Sequence, residues 1–347
     1  MVWMPCLIRG SSRGELTVRL GHPVVDNYLE FAAARVRPNT LLATAFDLKV
    51  FFEVVAKEPA EVTSSDVLGF ISAQRGRSGE RKVVRLADGE AGLAASTVKR
   101  RLSSVSGLFG YLVLRGDMAA NPVPRGLPTR RGSGGSSRPT ALMRTARTLP
   151  RILEPAEVDA LFSALRTYRD RAMVEAMVLG GLRRCEVLGL RLEDLSVGER
   201  RVFIAEGKGG HQRRVPISNR FFASVGAYLT GERPSDTKTD AVFVSLKGPT
   251  KGAPLTQEGI DEMVSNAKDR ARLSHATCHE LRHTCLTRLR EAGMSLEAVQ
   301  AQAGHRSIES TRVYVHLSND WLAGEYLLAS DAIDVLAAAV PVLDAIR

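Results

Sequence analysis

Several residues in the second half of the chain are of types that could act on a phosphate. Arg183 lies in GGLRRCEVLGL, immediately after Gly180-Gly181. A backbone that turns on two glycines delivers the next side chains to the start of a new helix, a position suited to holding an anion. The plainer alternative is an exposed arginine or one paired with Glu186. In CHELRHTCLTRL, His279 and Arg282 are three apart and so share one helix face, where both can address the same phosphate. A guanidinium fork matches phosphate oxygens in a planar, two-bond geometry. Taken alone, the same pair reads equally as a buried capping histidine beside a surface arginine. AGHRSIESTRVYVH contributes His305 and Tyr314. At a phenol pKa of about 10, only about one tyrosine in a thousand is ionised at neutral pH. A nucleophilic Tyr314 therefore needs a neighbouring base and a cationic site; without them it is a packing aromatic, as most of the six tyrosines should be.

A metal reading competes for the same stretch, since His275, Cys278, His279, His283 and Cys285 are borderline-soft ligands of the kind zinc accepts. The spacing argues against it. On a helix Cys285 projects well away from His279, and the paired ligand spacing does not recur elsewhere in the chain. No metal and no other cofactor is expected, and no P-loop motif is present.

The elements that must position these residues fall into two groups. A length of 347 residues suggests about two domains at roughly 150 residues each. With 44% hydrophobic and 25% charged residues the composition is that of an ordinary globular protein. The 48 Lys and Arg against 38 Asp and Glu give a formal charge of +10, which favours a polyanionic partner such as nucleic acid. Four cysteines are too few for a disulfide framework, and a reducing cytoplasm is expected. Neither Val2–Ile8 nor the stretch from Val335 to Ile346 approaches the roughly 20 uninterrupted apolar residues of a membrane span.

Between Asn121 and Leu153 the sequence is rich in Pro, Gly and Ser and marks a domain boundary. It carries Arg125, Arg130, Arg131, Arg138, Arg144, Arg147 and Arg151 with no acidic residue among them. The stretch is either a solvated linker or a strip lying along a phosphate backbone, gaining affinity by counterion release. Upstream, Leu41, Ala45, Leu48, Phe52 and Val55 form one helical stripe, and Val98, Leu102, Val105, Phe109 and Leu112 another. The second helix is expected to start at Ser96-Thr97, and Lys99, Arg100 and Arg101 on its other face are either solvated surface or a DNA-facing patch. Downstream, helices are expected from Glu154-Pro155 to Leu165, about Arg169 to Leu179, Thr256 to Arg272, His279 to Ala292, Leu296 to Ala303 and beyond Ser318. RVFIAEGKGGHQRRVPI reads as a β-hairpin pairing Val202–Ala205 with Arg214–Ile217.

Read in order, Arg183, Lys208, His279, Arg282, His305 and Tyr314 in these contexts resemble the tyrosine recombinase, or phage integrase, family. The resemblance spans Ile152 to about His316 and includes RDRAMVEAMVLGGLRRCEVLGLRLEDL, GKGGHQRRVPI, HELRHT and LEAVQAQAGHRSIESTRVYVH. STVKRRLSSVSGLFGYLV is similar to part of the family's helical core-binding domain. The implied fold is mainly α with a small β-hairpin or sheet in the C-terminal domain. The implied division is an N-terminal extension at 1–20, a helical core-binding domain at 21–122, an Arg-rich linker at 123–150, a catalytic domain at 151–330 and a C-terminal tail at 331–347.

The resemblance also implies a mechanism. Arg183 and Arg282 would clamp the scissile phosphate. His279 would accept or share the tyrosine proton, and His305, replaced by Trp in some relatives, would bond a phosphate oxygen. Lys208, at the hairpin turn, would protonate the leaving 5′-oxygen. Tyr314 would attack phosphorus to form a 3′-phosphotyrosyl link. Glu186 is expected to be structural, buttressing Arg183. Arg213 matches a basic position common in the family's hairpin and joins Lys99, Arg100, Arg101, Arg130, Arg131 and Arg138 as a candidate DNA contact. His211 stands where the family often has a second lysine.

The implied architecture is a C-shaped clamp around double-stranded DNA at specific recombination sites, with four copies of the chain acting together. The tail, with Leu327, Leu328, Ile333, Val335 and Leu336, would dock on a neighbouring copy or pack on its own domain. Only about two dozen residues precede the core-binding region, too few for a separate arm-site DNA-binding domain. Neither a membrane nor a small-molecule substrate is implied, and the enzyme would work in the cytoplasm at the nucleoid. Two rival readings remain: a type IB topoisomerase-like enzyme with the same chemistry, and a catalytically silent DNA-binding accessory factor.

Overall fold

The computed structural model describes residues 3–12, 15–75, 92–126, 142–143, 150–205, 212–305 and 309–312. The chain divides into two compact units, residues 1–147 and 148–347. Both are built chiefly from helices.

The first unit begins with an antiparallel hairpin, β1 (Ile8–Ser12) and β2 (Glu15–Arg19), in the register Ile8 opposite Arg19. These residues, expected from the sequence as an extension, contribute buried Val18 and Leu20 to the unit's core. Trp3 seals the contact: its indole N–H donates to Leu20 O at 3.2 Å, and its ring lies 5.0 Å from that of Phe52. Helix α1 (Pro23–Ala33) follows, with proline in its first turn and the His22 ring accepting from Val24 N–H. Helices α2 (Pro38–Val55), α3 (Ser64–Arg75) and α4 (Ala95–Arg115) complete the unit.

Both expected stripes face inward, with Leu41, Ala45, Leu48, Phe52, Val98, Leu102, Val105, Phe109 and Leu112 buried and Val55 partly buried against the same core. Helix α4 starts one residue before the expected Ser-Thr cap. Its cationic face is only partly free. Lys99 is exposed. Arg100 donates to the buried Asp47 of α2 at 2.5 Å, and Arg101 bonds Gln74 while lying 3.8 Å from the same carboxylate.

In the second unit α8 (Asn219–Gly231) and α10 (Cys278–Glu291) pack against α6 (Tyr168–Val178), and α5 (Pro155–Ser163) and α9 (Gln257–Arg270) join the same core. Helix α6 is enclosed almost all round: Ala172, Met173, Val174, Ala176 and Met177 are inaccessible to solvent. Short helices α7 (Arg184–Leu188), α11 (Leu296–Ala303) and α12 (Glu309–Arg312) carry the turns of the site.

One antiparallel sheet runs β3 (Leu195–Ser196), β4 (Arg201–Ile204), β5 (Arg213–Pro216). The hairpin is therefore present one residue earlier than its pattern suggests, with a third strand that two residues could not announce. Val202 pairs with Val215 and Ile204 with Arg213, so Val202, Ile204 and Val215 point into the core. No helix among the described residues is long and apolar enough to cross a membrane.

Candidate active site

Helix α6 ends at Val178, and the chain turns through Gly180-Gly181 just beyond it. Gly181 has φ +66°, a left-handed conformation that side chains resist, and a Cβ there would lie 3.1 Å from Leu286 Cδ2. The turn brings Arg183 to the head of α7. The Glu186 carboxylate then accepts from the Arg183 backbone N–H at 2.9 Å and from its guanidinium at 2.7 Å. Arg183 Nη2 also donates to Gly304 O at 3.2 Å.

Arg282 comes from the opposite side, on α10, and is 2% exposed. It donates to Gly181 O and to Ala303 O, and its Nη1 lies 3.9 Å from Glu186 Oε2. Arg213, from β5, closes the group with paired bonds of 3.0 and 2.9 Å to the two Glu186 oxygens. Burial pushes the Glu186 carboxyl up. The hydrogen bonds from Arg213 and the Arg183 N–H and the charges of both arginines outweigh it, and hold the carboxyl below the usual carboxylate range.

His279 occupies the first turn of α10, one turn before His283 on the same face; their Nε2 atoms are 2.8 Å apart, so one of the two facing nitrogens carries the hydrogen. His305 follows the left-handed Gly304 that ends α11. Its Nε2 lies 3.2 Å from Arg282 Nη2, and its Nδ1 3.0 Å from Thr311 Oγ1. A guanidinium only donates, so Nε2 accepts and Nδ1–H faces Thr311. Burial, then the Arg282 and Arg183 charges, holds His279 below the ordinary imidazole value. Burial, followed for His283 by the adjacent His279 and by Arg282, and for His305 by Arg282 and Arg183, lowers both to about 4. All three rings are neutral at neutral pH.

Arg183, His279 and Arg282 line one cleft of about 600 Å³ that continues past Arg184, Thr277 and Lys268. Three of the six expected catalytic side chains thus share a cavity, and His305 touches it through Arg282. Lys208 and Tyr314 lie outside the described residues, as do Arg130, Arg131, Arg138 and the tail 331–347. Glu186 sits where a buttress is expected, with Arg213 and Arg282 gathered on it as well as Arg183.

Arg213, a candidate DNA contact from the sequence, has its guanidinium committed to Glu186 and its side chain only 13% exposed. Sequence reasoning misses Gln302, whose amide donates to Gly180 O at 2.9 Å and Pro216 O at 3.0 Å. It offers His283 only as a metal ligand, although the i, i+4 spacing of His279 and His283 is a signal for their pairing. Among the described residues no three His, Cys, Asp or Glu side chains gather in a way that could hold a metal ion.

The arrangement can bind a phosphate between two guanidinium groups and accept a proton at a neutral imidazole. Comparison with known proteins points the same way. Residues 151–320 match the phage integrase family. The tyrosine recombinase XerC of Vibrio atlanticus (strain LGP32) is 36% identical over 243 residues, covering 68% of this chain and 72% of that protein. XerC of Vibrio vulnificus (strain YJ016) is 34% identical over 242 residues, covering 68% and 70%.

Among solved structures, the XerH site-specific recombinase bound to palindromic difH substrate, a post-cleavage complex, superposes with a TM-score of 0.63 at 21% identity, over 87% of this chain and 84% of that one. A lambda integrase (75–356) dimer bound to a COC′ core site gives 0.60 at 16% identity, over 84% and 94%. At those identities the structural likeness speaks for the fold. The sequence match, extending over two thirds of the chain, makes this protein a member of the phage integrase family of tyrosine recombinases.

Proposed function

We propose that this enzyme, a site-specific tyrosine recombinase that breaks and rejoins double-stranded DNA, works through Tyr314 with Arg183, Lys208, His279, Arg282 and His305. The observation that carries the assignment is the meeting of Arg183 and Arg282, from distant parts of the sequence, on one carboxylate and in one cleft with His279.

In this reading the two guanidinium groups hold the non-bridging oxygens of the scissile phosphate and stabilise the charge that grows on them. The Tyr314 oxygen attacks phosphorus while its proton passes to neutral His279. The bond from phosphorus to the 5′-oxygen breaks, and Lys208 gives that oxygen a proton. His305 steadies Arg282 by accepting from its Nη2, and acts on the phosphate through that guanidinium. The phosphodiester energy is kept in the 3′-phosphotyrosyl link, so a 5′-hydroxyl from the same or another strand reseals it without a nucleotide.

Lys99 and Arg100, the more exposed members of the α4 patch, are the better placed of the described candidates to meet flanking phosphates. Arg130, Arg131 and Arg138 belong to the same proposal. Recombination would require four copies of the chain on two sites, acting at the nucleoid; the tail 331–347 would join neighbouring copies.

The test is covalent trapping. Nicked suicide duplexes carrying the enzyme's selected binding sequence should yield a protein–DNA adduct mapping to Tyr314, and Tyr314→Phe should yield none. An adduct formed by the Phe variant refutes the nucleophile. Exchange of flanks between two duplexes separates a recombinase from an enzyme that only relaxes supercoils, and absence of any adduct in the unaltered protein would favour a silent DNA-binding factor.

A further inference from the structure

We infer that Arg213 is a positioning residue for the reaction, a latch tying the start of β5, five residues after Lys208, to the phosphate-binding arginines, and not a contact to DNA. The inference rests on the catalytic reading of Lys208, Arg183 and Arg282.

Three independent contacts converge on this one guanidinium. Its two terminal nitrogens each bond one oxygen of Glu186, the carboxylate that also holds Arg183 and lies beside Arg282. Its Nε donates to Gln302 O at 3.4 Å, at the end of α11. Its plane rests against Gly304, where a Cβ would stand 2.8 Å from Cζ and Nη1, so a side chain there would push the guanidinium off its seat. The other end of β5 is tied to the same helix, because the Gln302 amide donates to Pro216 O as well as to Gly180 O.

Strand β5 is therefore pinned at both ends to the segment that leads into His305. At its first residue it is pinned also to the carboxylate under the arginine clamp. Lys208 precedes the latch by five residues of sequence. An anchor fixed five residues away restricts where that lysine can go, and misplacing an acid by about 1 Å can cost about a hundredfold in rate.

A phosphate contact would look different. Arg183 and Arg282, to which that part is given, line the cleft, whereas Arg213 is absent from its lining. Here the donors face Glu186 and Gln302, and the paired geometry needs a planar fork that lysine lacks.

The experiment uses the full-length chain and duplexes recovered by selection from random DNA, made as nicked suicide substrates. One set has the ordinary 5′-oxygen at the scissile phosphate. The other has a bridging 5′-sulfur, which leaves as a thiolate and needs no proton because thiols are far more acidic than alcohols.

At saturating DNA, Arg213→Lys and Arg213→Gln should slow single-turnover adduct formation by about ten- to a hundredfold. Their affinity should stay within about twofold, with the salt dependence of binding unchanged. The sulfur substrate should restore most of the rate to both variants, as it should to Lys208→Ala. Failure of the sulfur to rescue Lys208→Ala would undo the role given to Lys208 and leave the latch to be judged by coupling. Arg213→Gln combined with Gly304→Ala should be little slower than the slower single variant, since both open the same contact.

The latch is refuted by fully additive losses in that cycle. It is equally refuted by a Lys variant of full rate, by sulfur rescue of Lys208→Ala but not of Arg213→Gln, or by weakened binding with a salt slope reduced by about one.

Discussion

Glu186 is the side chain on which the charge balance of the site turns. Without it, Arg183, Arg213 and Arg282 would crowd one small volume and lose the carboxylate that all three approach. Removing one partner from a buried ion group typically costs about 3–5 kcal/mol. Glu186→Gln should therefore lower the melting temperature and slow adduct formation more than it weakens DNA binding, which thermal unfolding and single-turnover trapping can separate. The histidines make a pH prediction whose sign is opposite to that of a salt-bridged histidine. His283 and His305 titrate at about 4 in the folded protein against an ordinary 6.5. As pH falls below 6.5 the unfolded chain takes up their protons first, so stability is lost between 6.5 and about 4 and is intact above that window. The melting temperature should fall between about pH 7 and about pH 5, and His283→Gln should fall less steeply. A flat profile in the unaltered protein would contradict the buried neutral rings. At this scale the types and local spacing of Arg183, His279 and Arg282 are legible because each lies in a short helical context. The Arg213–Glu186 bond is not, because its partners are 27 residues apart and meet only through tertiary packing.

The elements are legible to the degree that one periodicity governs them. The stripes of α2 and α4 stand out because each packs on a single core, whereas α6 is buried almost all round and shows no stripe. Its glycine end is a better signal than its hydrophobic pattern. The first hairpin escapes notice because Gly10, Ser11 and Ser12 interrupt any alternation in β1, and its place in the core comes from Val18, Leu20 and Trp3. The turn between α6 and α7 can be tested separately, since Gly181 supplies both a left-handed φ and a carbonyl to Arg282. Gly181→Ala should destabilise the fold by about 1–3 kcal/mol through backbone strain and contact with Leu286. It should also slow cleavage by moving the Arg282 acceptor. Gly198, where an added methyl group would meet no atom within 4 Å, is the control: Gly198→Ala should stay within about 0.5 kcal/mol. Equal losses at both glycines would show that the turn has no special role.

For the molecule as a whole, a formal charge of +10 fits a polyanionic partner, but the number alone does not say which cations meet it. The α4 patch shows why the distinction matters. Lys99 is exposed, whereas Arg100 and Arg101 lie against Asp47, whose side chain has no solvent exposure. A cation that touches phosphate releases counterions on binding, so its loss lowers the slope of log affinity against log salt by about one. A cation that neutralises a buried carboxylate contributes instead to folding, and its loss appears in the melting temperature. Lys99→Gln should therefore reduce the salt slope with little change in melting temperature. Arg101→Gln should lower the melting temperature and leave the slope nearly unchanged. Arg100, half exposed while bonded to Asp47, should do part of each. If Arg101→Gln instead lowered the slope by a full unit at constant melting temperature, that guanidinium would have to leave Asp47 and Gln74 on binding, and the buried carboxylate would need another partner in the complex.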